Sequence, residues 1–241
     1  IVYFISNPDS IDTIVQLCGK ESFKIKDIMI LGGSRIGVYA AELLESNFNV
    51  TLVEKDKQRC ELIAGILKRT LVINIDGHDV KQLEDEGLRD MDAFVTVTAD
   101  SEMNIMSSLV AKNHGVKKTI ARVENIDYIH LSQAIGVDTL INKKIIAASN
   151  IFKYVRKGNV SSVASLHGVD AEIIEFIVKP NSKVTKAALR DLKFPKTSNI
   201  AGVIRNGKGI IPFGDFQLQS EDKAIVFSLT ESIHKIENYF Q

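Results

Sequence analysis

The run Ile28-Met29-Ile30-Leu31 leads into Gly32-Gly33-Ser34-Arg35-Ile36-Gly37, and Glu54 follows after one amphipathic stretch and a second apolar run. A strand entering a glycine turn and a helix, with an acid about 20 residues on, is the arrangement that holds a dinucleotide through backbone amides. Gly32 suits the tight turn off the strand, where a side chain clashes. The middle position, usually glycine so that the backbone can approach a pyrophosphate, is Ser34. Its small side chain and donor hydroxyl let Gly33 and Ser34 share that role, with the hydroxyl aimed at a phosphate. Gly37 lets the helix lie close on the strand. The helix then points its free N–H groups and positive dipole end at the phosphates, with Arg35 and Ile36 in its first turn. Glu54 closes the strand Asn49-Val50-Thr51-Leu52-Val53, where a carboxylate accepts from both hydroxyls of an adenosine ribose and repels a 2'-phosphate. That favours NAD, NADH or an ATP-like ligand over NADP, and Lys55 beside Glu54 is grouped with the same site.

These residues need a scaffold, and the pattern from residue 27 to 142 supplies one. Short apolar runs at Ile28-Leu31, Val50-Val53, Leu71-Ile73, Ala93-Val97, Thr119-Arg122 and Thr139-Ile141 read as strands. Helical stretches at Arg35-Ser46, Lys57-Lys68, Val80-Glu86, Glu102-Asn113 and Tyr128-Ile135 separate them. The alternation predicts an α/β domain, a Rossmann-like doubly wound parallel sheet, with its ligand crevice outside the carboxyl ends of the strands. Residues at those ends therefore join the candidate site: Asp76 and Gly77 after strand three, Thr98 and Ala99 after strand four, Arg122 at the end of strand five. Asp76 is placed to accept from an adenine amino group, Thr98 to donate to a ribose or phosphate, and Arg122 to neutralise phosphate charge. Taken singly, Asp76-Gly77 reads as a turn, Thr98-Ala99-Asp100-Ser101 as a helix cap and Arg122 as a surface ion pair. Their shared location is the argument.

Thirty basic and thirty acidic residues in 241 leave a net charge of zero, and like-charge runs are short, so no nucleic-acid groove is indicated. No apolar stretch reaches the roughly 18 to 20 residues that span a bilayer, and the first residues do not resemble a signal peptide. Direct membrane insertion is therefore not expected. Cys18 and Cys60 belong to no metal-spaced set and suit a reducing compartment.

A helix predicted over Lys143 to Lys157 carries Ile145, Ile146, Ala148, Ile151, Phe152 and Val155 on one broad face, suited to the home sheet or to another subunit. Gly158-Asn159 closes it. From about 160 to 241 the pattern becomes a small α+β domain, with strands at Ile173-Val178, Ile200-Arg205, Gly209-Ile211 and Lys223-Ser228, a turn at Pro180-Asn181-Ser182, and a helix over Glu231-Phe240. Asn206-Gly207 between apolar runs is a hairpin signal. The opening Ile1-Val2-Tyr3-Phe4-Ile5 and Ser10-Ile11-Asp12-Thr13-Ile14 echo Ile225-Val226-Phe227-Ser228-Leu229 and Ser232-Ile233-His234-Lys235-Ile236. Residues 1–26 are accordingly expected to be the tail of a preceding unit plus a linker, in a tandem repeat of roughly 220-residue units. The divisions that follow are 27–142, 143–159 and 160–241.

With the glycine turn, Glu54, Asp76, Thr98-Ala99-Asp100-Ser101-Glu102-Met103-Asn104, Arg122 and the terminal Asp222-Lys223-Ala224-Ile225-Val226-Phe227, the chain resembles the TrkA proteins of bacterial potassium uptake, whose domains are called RCK or KTN. The resemblance covers the whole chain and makes it look like the second half of a tandem protein; Ser34 is its main departure. It implies a regulatory subunit, cytoplasmic and peripheral on the inner face of the plasma membrane. Such a subunit forms homo-oligomers beneath a membrane potassium transporter subunit of the TrkH/TrkG kind. It also implies NAD or NADH, alternatively ATP or ADP, as ligand, and subunit contact through the 143–159 crossover helix.

The competing reading is an NAD-dependent oxidoreductase, since the same fold hosts many. A common proton donor there is a tyrosine with a lysine four residues on. Tyr3, Tyr39, Tyr128 and Tyr154 have Asn7, Leu43, Ser132 and Gly158 at that position, and Tyr239 lies too near the end. His78, His114, His130, His167 and His234 are scattered, and only His78 falls near the crevice. Binding without turnover is the expectation, with no catalytic and no metal-ligating residues.

Overall fold

The computed structural model describes residues 3–19, 23–155, 160–166 and 169–241, with the side chains of 130, 152–155 and 165 outside that description. Two compact units divide the chain, one of residues 23–146 and one that joins residues 1–22 to residues 147–241.

In the first unit, strands and helices alternate as the sequence predicts. They run β1 (Asp27–Leu31), α2 (Arg35–Leu44), β2 (Asn49–Glu54), α3 (Lys57–Ala64), β3 (Leu71–Asn74), α4 (Val80–Asp85), β4 (Ala93–Thr96), α5 (Ser101–Asn113), β5 (Lys118–Arg122), α6 (Asp127–Ala134) and β6 (Thr139–Ile141); α1 (Ile11–Leu17) comes earlier in the chain and belongs to the other unit. The six strands pair in parallel in the order β3-β2-β1-β4-β5-β6. Apolar residues on β1 are buried toward both faces: Ile28 and Ile30 pack with Val50, Leu52 and Ile63, and Met29 and Leu31 pack with Val53, Leu83 and Phe94. Helices therefore cover both sides, as a parallel sheet requires. The chain reverses its winding between β1 and β4, so the segments leaving those two strands part and open a crevice.

One helix is shorter than its periodicity predicts. The expected stretch to Lys68 ends at Ala64, because the backbone N–H groups of Lys68, Arg69 and Thr70 donate to the buried carboxylate of Glu45 rather than to carbonyls of their own helix. That carboxylate also accepts from the Thr70 hydroxyl at 2.9 Å. These bonds, the Arg69 N–H first among them, lower the Glu45 pKa to about 2.

In the second unit, α7 (Lys143–Val155), which begins in the first, is followed by β7 (Val160–Ser165), β8 (Ala171–Ile177), β9 (Ser198–Arg205), β10 (Lys208–Ile210), β11 (Lys223–Leu229) and α8 (Ile233–Glu237). The sheet is antiparallel, in the order β10-β9-β11-β8-β7. Ile174, Phe176, Ala224 and Val226 pack under Ile233, Ile236 and Phe240, and the Phe176 and Phe240 rings stack at 4.4 Å. Asn206 and Gly207 both take positive φ, 52° and 76°, in the turn between β9 and β10. Strand β7 has no counterpart in the sequence pattern; Val160-Ser161-Ser162-Val163-Ala164-Ser165 is too serine-rich to stand out, and its place comes from pairing with β8. The predicted terminal helix is shorter, since a 3-10 turn at Thr230–Ser232 precedes α8.

Of the opening echo, residues 1–2 lie outside the described residues and Tyr3, Phe4 and Ile5 are in no strand, whereas the helical half appears as α1. The helix end expected at Gly158-Asn159, and His167, also lie outside the described residues. Among the described residues no helix is long and apolar enough to cross a membrane.

Candidate functional site

The turn after β1 is built around two glycines that cannot be exchanged. Gly32 has φ of +115°, left-handed backbone that side chains rarely adopt. A Cβ on Gly37 would overlap the Gly32 carbonyl oxygen, so only a bare Cα lets α2 pack against the turn. Between them Ser34 sits at φ −64° and ψ 166°, ordinary extended backbone that needs no glycine. Its hydroxyl is committed: it caps α2 by accepting from the Gly37 N–H at 3.4 Å and donates to the Val97 carbonyl at 3.0 Å. The sequence expectation that this hydroxyl faces a phosphate is thus revised. Its hydrogen is spent on the strand β4 side, and what Ser34 offers a ligand is its backbone N–H.

Glu54, half-buried at the end of β2, turns onto this loop. Its Oε2 accepts from the Gly33 N–H at 2.8 Å and its Oε1 from the Asp56 N–H at 3.0 Å. Each oxygen retains a second lone pair for a further donor. Asp56 caps α3 by accepting from the Arg59 N–H at 2.8 Å. The Arg59 Nε donates in turn to the Gly33 carbonyl at 3.0 Å.

At the β4 side Asn104, fully buried on α5, clamps the segment that leaves the strand. Its Oδ1 accepts from the N–H and hydroxyl of Thr98 at 3.0 and 2.8 Å, and its Nδ2 donates to the carbonyls of Thr98 and Arg122 at 3.1 and 2.9 Å. The Thr98 hydroxyl, expected to donate to a ligand, instead donates to Asn104. Asp100 caps α5 through the Met103 N–H at 2.9 Å, a bond that lowers its pKa. Asp76 accepts from the His78 N–H at 3.0 Å and faces the His78 Nδ1 at 2.7 Å. Both contacts, the backbone one first, lower the Asp76 pKa.

The loops enclose a cavity of about 510 Å³. Of the residues expected from the sequence, Gly32, Gly33, Ser34, Glu54, Lys55, Asp76, Gly77, Thr98 and Ala99 line it. Four do not. Gly37 is buried beneath the turn, and Arg35 and Ile36 lie with Tyr39, Ala40 and Leu43 along an outer groove of α2. Arg122 is drawn away from the cavity: its Nε donates to Glu124 Oε1 at 3.0 Å, its Nη2 pairs with the same oxygen, and its Nη1 donates to the Thr98 carbonyl at 3.1 Å. Arg122 is ion-paired, although its side chain is largely buried rather than at the surface, and its guanidinium is the leading cause of the lowered Glu124 pKa.

Leu31, Val53, Arg59, His78, Asp100 and Met103 complete the lining. Arg59 is absent from the residues expected at the site, yet its position carries a signal. A cation in the first turn of a helix opposes the dipole, so its presence there calls for another partner. The cavity chemistry suits a nucleotide: Ser34, the N-cap of α2, lines it at the positive end of that helix, and the half-buried Met103 offers apolar surface beside it. Among the described residues no three His, Cys, Asp or Glu side chains are grouped as a metal site.

Comparison with known proteins agrees with this architecture. The TrkA-N domain model matches residues 28–143 and the TrkA-C domain model residues 173–241. Trk system potassium uptake protein TrkA homolog 1 of Methanosarcina mazei is 33% identical over 239 residues, 98% of this chain and 53% of that protein. TrkA of Azorhizobium caulinodans is 30% identical over 244 residues, 100% of this chain and 53% of that protein. The chain thus spans about half the length of the curated relatives it matches. Among solved structures, the GsuK channel bound to NAD superposes with a TM-score of 0.57 over 90% of this chain and 40% of that one. At 15% identity this likeness speaks for the fold. With a TrkA-N and a TrkA-C domain in order along one chain, and relatives of that name over its whole length, the chain belongs to the TrkA family of potassium-uptake proteins.

Proposed function

We propose that this chain is a regulatory part of a potassium-uptake system and binds NAD or NADH, alternatively ATP or ADP, in the crevice between β1 and β4. The observation that carries the reading is the Gly32 turn with Glu54 held over it at the switch point of the parallel sheet. The α2 amides take the phosphates and the free lone pairs of Glu54 take the ribose hydroxyls. The relatives are named as Trk system proteins, which supports a membrane potassium transporter subunit of the TrkH/TrkG kind as partner and a cytoplasmic, peripheral position. Occupancy acts on that partner only through a difference in nucleotide affinity between two arrangements of the assembly. Homo-oligomer contact is assigned to α7, where Ile146 and Ile151 stand 50% and 62% exposed.

Titration calorimetry with NAD, NADH, ATP and ADP, run beside a hydride-transfer assay, tests the reading. Saturable binding of at least one of the four without turnover is the expected result. Steady oxidation of a supplied hydroxy compound would make the chain an NAD-dependent oxidoreductase and end the regulatory reading. Failure of all four to bind would end the nucleotide reading.

A further inference from the structure

Both peptide groups that flank Gly33 are held from outside the loop. The N–H of Gly33 goes to Glu54 Oε2 at 2.8 Å, and the C=O of Gly33 receives the Arg59 Nε at 3.0 Å. No peptide bond among the described residues is cis. In a planar trans peptide the carbonyl and the next N–H point in opposite directions. Fixing the Gly33 carbonyl toward Arg59 therefore fixes the Ser34 N–H away from it. Ser34 opens α2 and lines the cavity, so that N–H is the first donor of the phosphate-facing end of the helix. Arg59 itself cannot wander: its own N–H is tied to Asp56 at the start of α3, and its side chain is half-buried.

We propose that Arg59 is a positioning residue for the nucleotide site: it sets the orientation of the Gly33–Ser34 peptide and so presents the Ser34 amide to a pyrophosphate. The proposal rests on the nucleotide reading above for its ligand but not for its geometry. The Glu54 and Arg59 side chains clamp the two sides of Gly33, and Asp56, the cap of α3, is bonded to both residues: its N–H donates to Glu54 and its carboxylate accepts from the Arg59 N–H. Loss of the Arg59 donor frees the peptide to rotate, and phosphate affinity falls although Arg59 need not touch a phosphate.

Two substitutions separate this role from that of a simple cation. In Arg59→Gln the amide nitrogen stands as many bonds from the backbone as the Arg59 Nε, and it donates without charge. In Arg59→Met the length is kept and the donor is lost. The Gly33 carbonyl carbon shift, which reports hydrogen bonding at that oxygen, is read by NMR on free protein labelled with 13C-carbonyl glycine and 15N-serine so that the Gly33–Ser34 peptide is singled out, the other glycine resonances reporting the fold. Arg59→Met is expected to move that shift upfield, toward the value of an unbonded carbonyl, and Arg59→Gln to leave it near the parent's. Titration with NAD and ADP should show about tenfold weaker binding for Arg59→Met and near-parental binding for Arg59→Gln, with adenosine unaffected by either. An unchanged Gly33 carbonyl shift in Arg59→Met overturns the proposal whatever the nucleotides do. Equal loss of ADP affinity in both variants overturns it also, in favour of a cation acting on the phosphates. If the shift result holds while the parent binds no nucleotide, the nucleotide reading falls and the clamp on Gly33 stands.

Discussion

At the scale of single residues, Ser34 shows how a departure from a motif is accommodated. Glycine is favoured at the middle position for closeness, yet here the backbone is extended and the hydroxyl is used twice within the protein. Ser34→Ala is therefore expected to lower unfolding stability by about 1 kcal/mol, the value of a helix cap, while changing NAD or ADP affinity less than about threefold. Denaturant unfolding and calorimetry on the same variant check both halves; a large affinity loss would mean that the hydroxyl leaves Val97 to meet a phosphate. Glu54→Ala removes an acceptor from the Gly33 N–H as well as the proposed ribose partner. It should weaken adenosine-containing ligands severalfold with the fold retained, and unchanged affinity would take Glu54 off the ribose. That Glu54 belongs to the loop was readable from its spacing behind Gly32. That its two oxygens are already engaged was not, because both donors are backbone groups that no residue type announces.

Elements here are tied together by buried polar side chains at their ends. Asn104 bridges the ends of β4 and β5 from α5 with four hydrogen bonds. Asn104→Leu leaves the Thr98 N–H and the Arg122 carbonyl without it, so a loss of about 3 kcal/mol is expected in urea unfolding. Glu45 and Asp92 play the same part with charge. Asp92 accepts from the N–H groups of Lys26 and Asp27 at the start of β1, and its pKa falls to about 2, the Lys26 bond leading. A carboxylate whose folded pKa is lowered contributes stability above its unfolded value and loses it as pH falls through the folded one. The midpoint of urea unfolding should therefore decline as pH drops from about 5 toward 2, and Glu45→Gln should flatten part of that slope. An unaltered slope would mean that Glu45 titrates alike in both states. Element type and order in the first unit were readable because hydrophobic period separates strand from helix. The end of α3 was not, since it is set by a carboxylate 20 or so residues away in sequence.

For the whole molecule, the exposed Ile146 and Ile151 on α7 make the proposed subunit contact testable. Ile146→Glu with Ile151→Glu should shift light-scattering mass toward the single chain without changing nucleotide affinity, and an unchanged oligomer would move the contact elsewhere. A bound nucleotide should also raise stability by about 2.7 kcal/mol at a hundredfold excess over its dissociation constant, read as a shift in thermal unfolding. The sequence by itself determined that a parallel α/β domain precedes a smaller α+β domain, that Gly32 to Gly37 begins a helix pointed at a crevice, and that Glu54 stands beside it. Those are matters of local period, glycine geometry and short spacing, which a chain carries in its own order. Tertiary structure alone decided which side chains reach the cavity. It drew Arg122 onto Glu124, spent the hydroxyls of Ser34 and Thr98 on neighbouring strands and helices, and brought Arg59 to Gly33. The partners of Ser34 and Arg59 lie 63 and 26 residues away, and even the near pairs of Thr98 with Asn104 and Arg122 with Glu124 compete with a cavity that exists only once the sheet has placed its strand ends side by side.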